Sequence, residues 1–124
     1  QFIKLMMIDE PHVLDAAIAR LPSELTDRFA VLKSAPFFLE VFDHRAGKGA
    51  SLQKLAEHLG VDAANVMALG DQENDLTMLQ FAGTSVAMGN AIEVVKQTAR
   101  FETATNAEDG VALAIERFVL AGHV

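Results

Sequence analysis

Hydrophobic and polar positions follow two different rhythms along this chain. Apolar runs with strand character dominate the first part: residues 2–8, then Phe29-Ala30-Val31-Leu32-Lys33-Ser34 and Phe37-Phe38-Leu39-Glu40-Val41-Phe42. Ala35-Pro36 separates the last two, which predicts a hairpin or a bulged pair. Asp9-Glu10-Pro11 marks a helix start, with Pro in the first turn and acids at the positive end of the dipole. Val13, Leu14, Ala17, Ile18 and Leu21 then make an apolar stripe at helical spacing. Pro22-Ser23 interrupts it, and Ser23 is a candidate cap for a short second helix through Asp27. Strand, helix, strand, strand is the order of an α+β unit, and it ends near Asp43.

From Gly47 onward helices and strands alternate. Ala50, Leu52, Leu55, Ala56 and Leu59 form a helical stripe that Gly60 stops. Val66 to Leu69 has the length and composition of a buried strand. A helix over Asp75 to Phe81, a strand over Thr84 to Met88 and a helix over Ala91 to Ala99, with Asn90 as its cap, come next. A short strand over Arg100 to Thr103 follows, then a capping box at Asn106 to Asp109 and a last helix over Val111 to Leu120. Such alternation predicts βαβ units and a parallel sheet. The expected class is therefore α/β, with a unit boundary between residues 43 and 47.

One stretch stands at the centre of the second rhythm: Val66-Met67-Ala68-Leu69-Gly70-Asp71-Gln72-Glu73-Asn74-Asp75-Leu76. A strand ends in Gly-Asp, and Asn-Asp opens a helix. Asp71, Asn74 and Asp75 thus fall at the carboxyl end of a strand, the rim where open α/β sheets bind ligands. Two carboxylates and an amide there can hold a hard cation such as Mg²⁺ and a group bound to it. The same residues serve equally well as a helix cap flanked by solvated acids.

Composition narrows the classes. The chain has 124 residues, 51% of them hydrophobic and 22% charged, enough for a real core and unlike a disordered segment. Its net charge of −7 disfavours nucleic acid as a partner. A phosphorylated small molecule stays open, because a metal and one Lys supply positive field locally. The absence of Cys excludes disulfides and thiolate metal sites. No apolar run is long enough to span a membrane, and no signal-peptide pattern is present. A cytoplasmic setting is expected. Opening on Gln1 and running straight into an apolar strand suits a chain cut in mid-course as well as a processed start.

Few other residues suggest chemistry. Lys48 is held between Gly47 and Gly49, which allows close approach of a ligand, although a solvated loop Lys has the same pattern. His12, His44, His58 and His123 show no metal-like spacing. The glycines match neither the Walker loop nor the dinucleotide fingerprint. Glu73 is expected to be solvated. Phe29, Phe37, Phe38 and Phe42 are expected in the core or on the sheet face, with a substrate-facing Phe as the alternative.

Lys48-Gly49 before a helix, then Gly70-Asp71-Gln72-Glu73-Asn74-Asp75, then Ser85-Val86-Ala87-Met88-Gly89-Asn90-Ala91, together resemble the C-terminal part of the Cof-type phosphatases, members of the haloacid dehalogenase-like hydrolase superfamily. The resemblance implies that residues 44–124 are the C-terminal part of a Rossmann-like parallel-sheet core. Residues 1–43 resemble the tail of the α+β cap domain inserted into it. It further implies that Lys48 contacts the phosphoryl group, that Asp71 ligates Mg²⁺, and that Asn74 hydrogen-bonds the phosphate. Asp75 would be the second acid, holding Lys48 and the metal's surroundings in place. Phosphoryl transfer needs such positive charge around the equatorial oxygens.

The chain departs from the family in one respect. These enzymes attack with an Asp in an Asp-x-Asp-Gly-Thr motif, forming an aspartyl-phosphate. Asp9-Glu10-Pro11 lacks the second Asp and the Gly-Thr. The resemblance thus places the nucleophile upstream of Gln1 and makes this chain the C-terminal part of a longer polypeptide. The expected function is a Mg²⁺-dependent phosphatase of small phosphorylated metabolites such as sugar phosphates, with the isolated chain inactive. A non-catalytic phosphate-binding module is the alternative. The phosphorylation domain of a cation-pumping ATPase shares the Gly-Asp-x-x-Asn-Asp signature, but the Met-Gly-Asn-Ala continuation and the lack of a membrane segment disfavour it.

Overall fold

The computed structural model describes residues 3–121. Two three-stranded sheets organise it. The first is antiparallel, in the order β1-β3-β2, with β1 at Lys4–Ile8, β2 at Phe29–Ala35 and β3 at Phe38–Asp43. The expected bulge is present: the β2–β3 register shifts between Lys33 and Ala35. Helices α1 (Pro11–Ile18) and α2 (Ser23–Arg28) lie between β1 and β2 in the chain. Pro22, not Ser23, takes the cap position of α2. Leu21 falls beyond the end of α1, whose buried residue is Leu14.

Side chains alternate across this sheet. Lys4, Met6 and Ile8 pair with Phe42, Glu40 and Phe38, and Ala30 and Leu32 pair with Phe42 and Glu40, so all eight share one face. Leu5, Val31, Lys33, Leu39 and Val41 share the other. Lys33 reaches from that second face to Asp15 of α1, so the helices cover it. Leu39 is accordingly fully buried there. Of the four phenylalanines expected in the core or on the sheet face, Phe29, Phe38 and Phe42 lie in strands of this sheet and Phe37 lies in the turn before β3. Phe37 and Phe38 remain 49% and 38% exposed, at the turn and at the first position of β3.

The second sheet is parallel, in the order β4-β5-β6, with β4 at Met67–Gly70, β5 at Thr84–Ala87 and β6 at Phe101–Glu102. Helices α3 (Lys48–Leu59), α4 (Leu76–Phe81), α5 (Glu93–Thr98) and α6 (Gly110–Ile115) alternate with its strands. Parallel pairing of β4 with β5 requires the crossover that α4 provides. Ala68, Leu79, Ala82, Ala87 and Val95 form the buried cluster, with Leu52, Val66 and Leu76 packed against it. Burial of this apolar surface is the main favourable contribution to the parallel-sheet unit. Gly60 ends α3 with φ +67°, a conformation that only glycine adopts without strain. Leu55 and Leu59, placed in the α3 stripe by the sequence pattern, are exposed, and Ala56 is its buried member.

Several local expectations are corrected. Asp75 belongs to a 3₁₀ turn, Glu73–Asp75, and α4 begins at Leu76. The capping box lies one residue earlier than its sequence position suggests, between Thr105 and Glu108, because Asp109 turns to φ 56°. The last helix gives way after Ile115 to a π-turn over Glu116–Leu120. The α5 cap is Ile92 rather than Asn90, whose side chain is engaged elsewhere.

Candidate active site

The loops after β4 and β5 leave the same, carboxyl edge of the parallel sheet, since Gly70 and Ala87 end those strands side by side. Met88 N–H donates to the Gly70 carbonyl at 3.0 Å and Ile92 N–H to the Asp71 carbonyl at 3.0 Å, which ties the two loops together. The first loop folds back on itself around one carboxylate. Asp75 Oδ2 accepts from Asp71 N–H at 2.9 Å and from Gln72 N–H at 3.2 Å. Gly70 makes room for this: a Cβ there would sit 2.4 Å from Asp75 Cβ.

The other oxygen of Asp75 accepts from Lys48 Nζ. Lys48 is the first residue of α3 rather than a loop residue. Of the two glycines, Gly49 is the one that packing requires. Gly49 is buried against α4, where a Cβ would meet Thr77 backbone and side-chain atoms at 2.6 Å, and its N–H donates to Thr77 Oγ1 at 3.1 Å. That close approach brings the start of α3 to the loop after β4. The ammonium is half exposed and the carboxylate buried, at 49% and 5% of their side-chain surfaces. One end of the pair is thus fixed by the protein and the other faces solvent.

Lys48 and Asn74 line the same cavities, of about 220 and 360 Å³. Both cavities lie between the parallel-sheet loops and the Glu40–Phe42 face of the antiparallel sheet. Phe42 lines both of them, so it is the one of the four phenylalanines that faces this cleft. A separate cavity of about 500 Å³, lined by Leu5, Leu25, Phe29 and Val41, opens on the opposite sheet face and touches none of the four site residues. Beside it, Arg45 donates side-chain and backbone hydrogen bonds to Asp43 and holds that carboxyl far below the usual carboxylate range.

Asp71 sits next to Asp75 in the loop and is itself held. Asn90 Nδ2 donates to Asp71 Oδ2 at 3.2 Å, while Asn90 Oδ1 accepts from Asn106 N–H at 2.9 Å. Sequence reasoning read Asn90 as a helix cap and missed this bridge. The available signal was its place in Met88-Gly89-Asn90-Ala91, part of the resemblance motif. Glu73 is exposed as expected, and its carboxylate accepts a long hydrogen bond from Lys33 N–H of β2 at 3.4 Å. His44 lines the cavity of about 360 Å³ together with Lys48 and Asn74, His12 and His58 line neither site cavity, and His123 lies outside the described residues.

The donor set fits part of a Mg²⁺ shell. Mg²⁺ takes one or two carboxylates, waters and substrate oxygens rather than an all-protein cage. Asp71 keeps one carboxylate oxygen without a protein partner among the described residues. Asp75 has both oxygens taken by N–H and ammonium donors, which suits it to orienting Lys48 and Asp71. No group of three or more His, Cys, Asp or Glu able to hold a metal occurs among the described residues.

The family profile of haloacid dehalogenase-like hydrolases matches residues 1–115. The chain belongs to that family. YxeH of Bacillus subtilis is 45% identical over 118 residues, which cover 95% of this chain and 44% of that protein. The 5-amino-6-(5-phospho-D-ribitylamino)uracil phosphatase YcsE of the same organism is 49% identical over 90 residues, 73% of this chain and 36% of that one. Among solved structures, a haloacid dehalogenase-like hydrolase from B. subtilis superposes with a TM-score of 0.84 at 34% identity, over 95% of this chain and 41% of that one. A subclass IIB sugar phosphatase superposes with a TM-score of 0.79 at 27% identity, over 94% and 43%. The chain therefore spans less than half the length of these relatives. Its mixed architecture, a small antiparallel sheet beside a parallel one, matches part of the subclass IIB hydrolases.

Proposed function

We propose that this chain is the C-terminal part of a Mg²⁺-dependent phosphatase acting on small phosphorylated metabolites of the sugar-phosphate type. Residues 1–43 are the tail of its cap and 44–124 the C-terminal part of its core. The observation that carries this reading is the Lys48–Asp75 pair at the end of β4, with Asn74 on the same cavity and Asp71 beside it. Phosphoryl transfer asks the protein mainly for positioning and positive charge. Lys48 offers the ammonium, and the buried Asp75 keeps it aimed. Asn74 offers an amide to a phosphoryl oxygen. Asp71, steadied by Asn90, offers a carboxylate oxygen to Mg²⁺. The bound metal supplies Lewis-acid stabilisation of charge on the phosphoryl oxygens.

The attacking carboxylate belongs, in this reading, to an Asp-x-Asp-Gly-Thr motif upstream, where it forms an aspartyl-phosphate. The relatives' phosphatase names and the chain's share of under half their length support it. Phosphatase assays of the longer polypeptide, with and without Mg²⁺, test the proposal. Lys48→Ala is expected to lower turnover by about 10²-fold or more without unfolding the protein. Unchanged turnover in that variant removes Lys48 from the mechanism. A protein with bound phosphate but no turnover favours the non-catalytic module instead.

A further inference from the structure

The cleft-facing side of the antiparallel sheet carries a polar cluster that gripping a phosphoryl group does not require. Glu40 is 6% exposed, although it is a carboxylate in the middle of β3 with Met6 and Leu32 as its cross-strand neighbours. A carboxylate so placed needs partners. Lys4 Nζ donates to it at 3.0 Å and Ser34 Oγ at 2.8 Å, and both fall on Oε1. Oε2 has no partner among the described residues, yet no buried side-chain N or O there lacks one. Oε2 therefore keeps its opening into the cavity that Glu40 lines. Lys4 is also half exposed, with further N–H directions to give.

We propose that Lys4 and Glu40 form the subsite that reads hydroxyl groups on a polyol leaving group, a proposal that rests on the phosphatase reading above. The cavity has Lys4, Glu40 and Phe42 on one wall and Lys48 and Asn74 on the other. A phosphoryl dianion is repelled by Glu40 and attracted by Lys48, so it takes the Lys48 end. The rest of the substrate then lies against the sheet. A hydroxyl group both donates and accepts, and the pair offers one of each: Oε2 accepts and the ammonium donates. Neighbouring hydroxyls on a carbon chain can meet both at once. Phe42 supplies an apolar surface between the two ends for the carbon skeleton. A leaving group without hydroxyls gains nothing from Lys4 or Glu40, and that asymmetry makes the proposal testable.

The experiment compares glucose 6-phosphate and sorbitol 6-phosphate with p-nitrophenyl phosphate, using the longer polypeptide that carries this chain. The variants are Glu40→Gln and, because a buried change can disturb folding, the half-exposed Lys4→Met. Each is expected to lose about tenfold to a hundredfold in kcat/KM on the polyol phosphates, mostly through KM, the range of a lost charged hydrogen bond. Turnover of p-nitrophenyl phosphate stays within about twofold, since its leaving group makes neither contact. Equal losses on all three substrates, no loss on any, or a wild type that hydrolyses only p-nitrophenyl phosphate would overturn the subsite and leave the phosphatase reading standing. A wild type that hydrolyses none of them, with or without Mg²⁺, overturns the phosphatase reading itself.

Discussion

Removing the Asp75 carboxylate is the perturbation whose cost follows most directly from the geometry. In Asp75→Ala, the N–H groups of Asp71 and Gln72 lose the oxygen they reach at 2.9 and 3.2 Å. Each orphaned donor in a partly buried loop costs about 1–3 kcal/mol, and water entering the vacated space pulls both values to the low end. Lys48 is half exposed, so its freed ammonium rehydrates, and the lost ion pair adds at most about 1 kcal/mol. The expected destabilisation is about 2–4 kcal/mol. Urea unfolding of the polypeptide followed by circular dichroism reads this as a fall in midpoint of about 1–2 M, for a slope near 2 kcal/mol per M. Asp75→Asn keeps one acceptor oxygen for the two N–H groups and gives up the pair with Lys48. It should cost roughly half as much. If Asp75→Ala shifts the midpoint by less than about 0.3 M, the carboxylate is not what folds the loop. If Asp75→Asn is as damaging as Ala, the ion pair outweighs the backbone bonds and the partition above is wrong.

Two further outcomes follow from local packing and charge. Gly49→Ala puts a methyl 2.6 Å from the Thr77 backbone, so α3 must move away from α4, and an overpacking loss of about 1–3 kcal/mol is expected, together with weaker Lys48-dependent activity. Denaturant midpoints check the first part, and a variant as stable as the parent refutes the close approach. Glu108 is held below the ordinary glutamate range by the Thr105 hydroxyl and N–H. Its folded value is the depressed one, so its contribution is whole above that ordinary range and fades as pH falls through the lowered folded value. Thr105→Ala should therefore flatten the acid side of the stability–pH curve below about pH 5, by a small amount because the pair is exposed. Parallel curves for the two proteins would mean that the capping box carries no charge-dependent stability.

The parts of this molecule legible in sequence are those set by neighbours in the chain. Val66 to Leu69 reads as a strand because an apolar run of that length ends at Gly-Asp. The bulge near Pro36 and the stop at Gly60 follow from backbone preferences of single residues. Residues whose roles come from distant partners were not legible that way. Asn90 has the chemistry of a cap, and only folding brings it between Asp71 and Asn106. Glu40 alternates in a strand as an outward polar residue would, and it becomes buried because the sheet's open face turns toward the β4 loop. Lys48 between two glycines looks mobile until Gly49 is seen to pack on Thr77, 28 residues later. The pattern gave the rim of the parallel sheet, while the tertiary contacts decide which side chains on that rim act together.

The central claim is that the Lys48 ammonium, steered by Asp75, grips a phosphoryl group. Calorimetric titration of the longer polypeptide with orthovanadate in the presence of Mg²⁺ tests it without relying on turnover. Lys48→Met is expected to weaken vanadate binding by about tenfold or more, in a protein that still folds and loses no more than about 1 kcal/mol of stability with the ion pair. Equal affinity in the two proteins would contradict the claim, since the ammonium would then take no part in holding the anion.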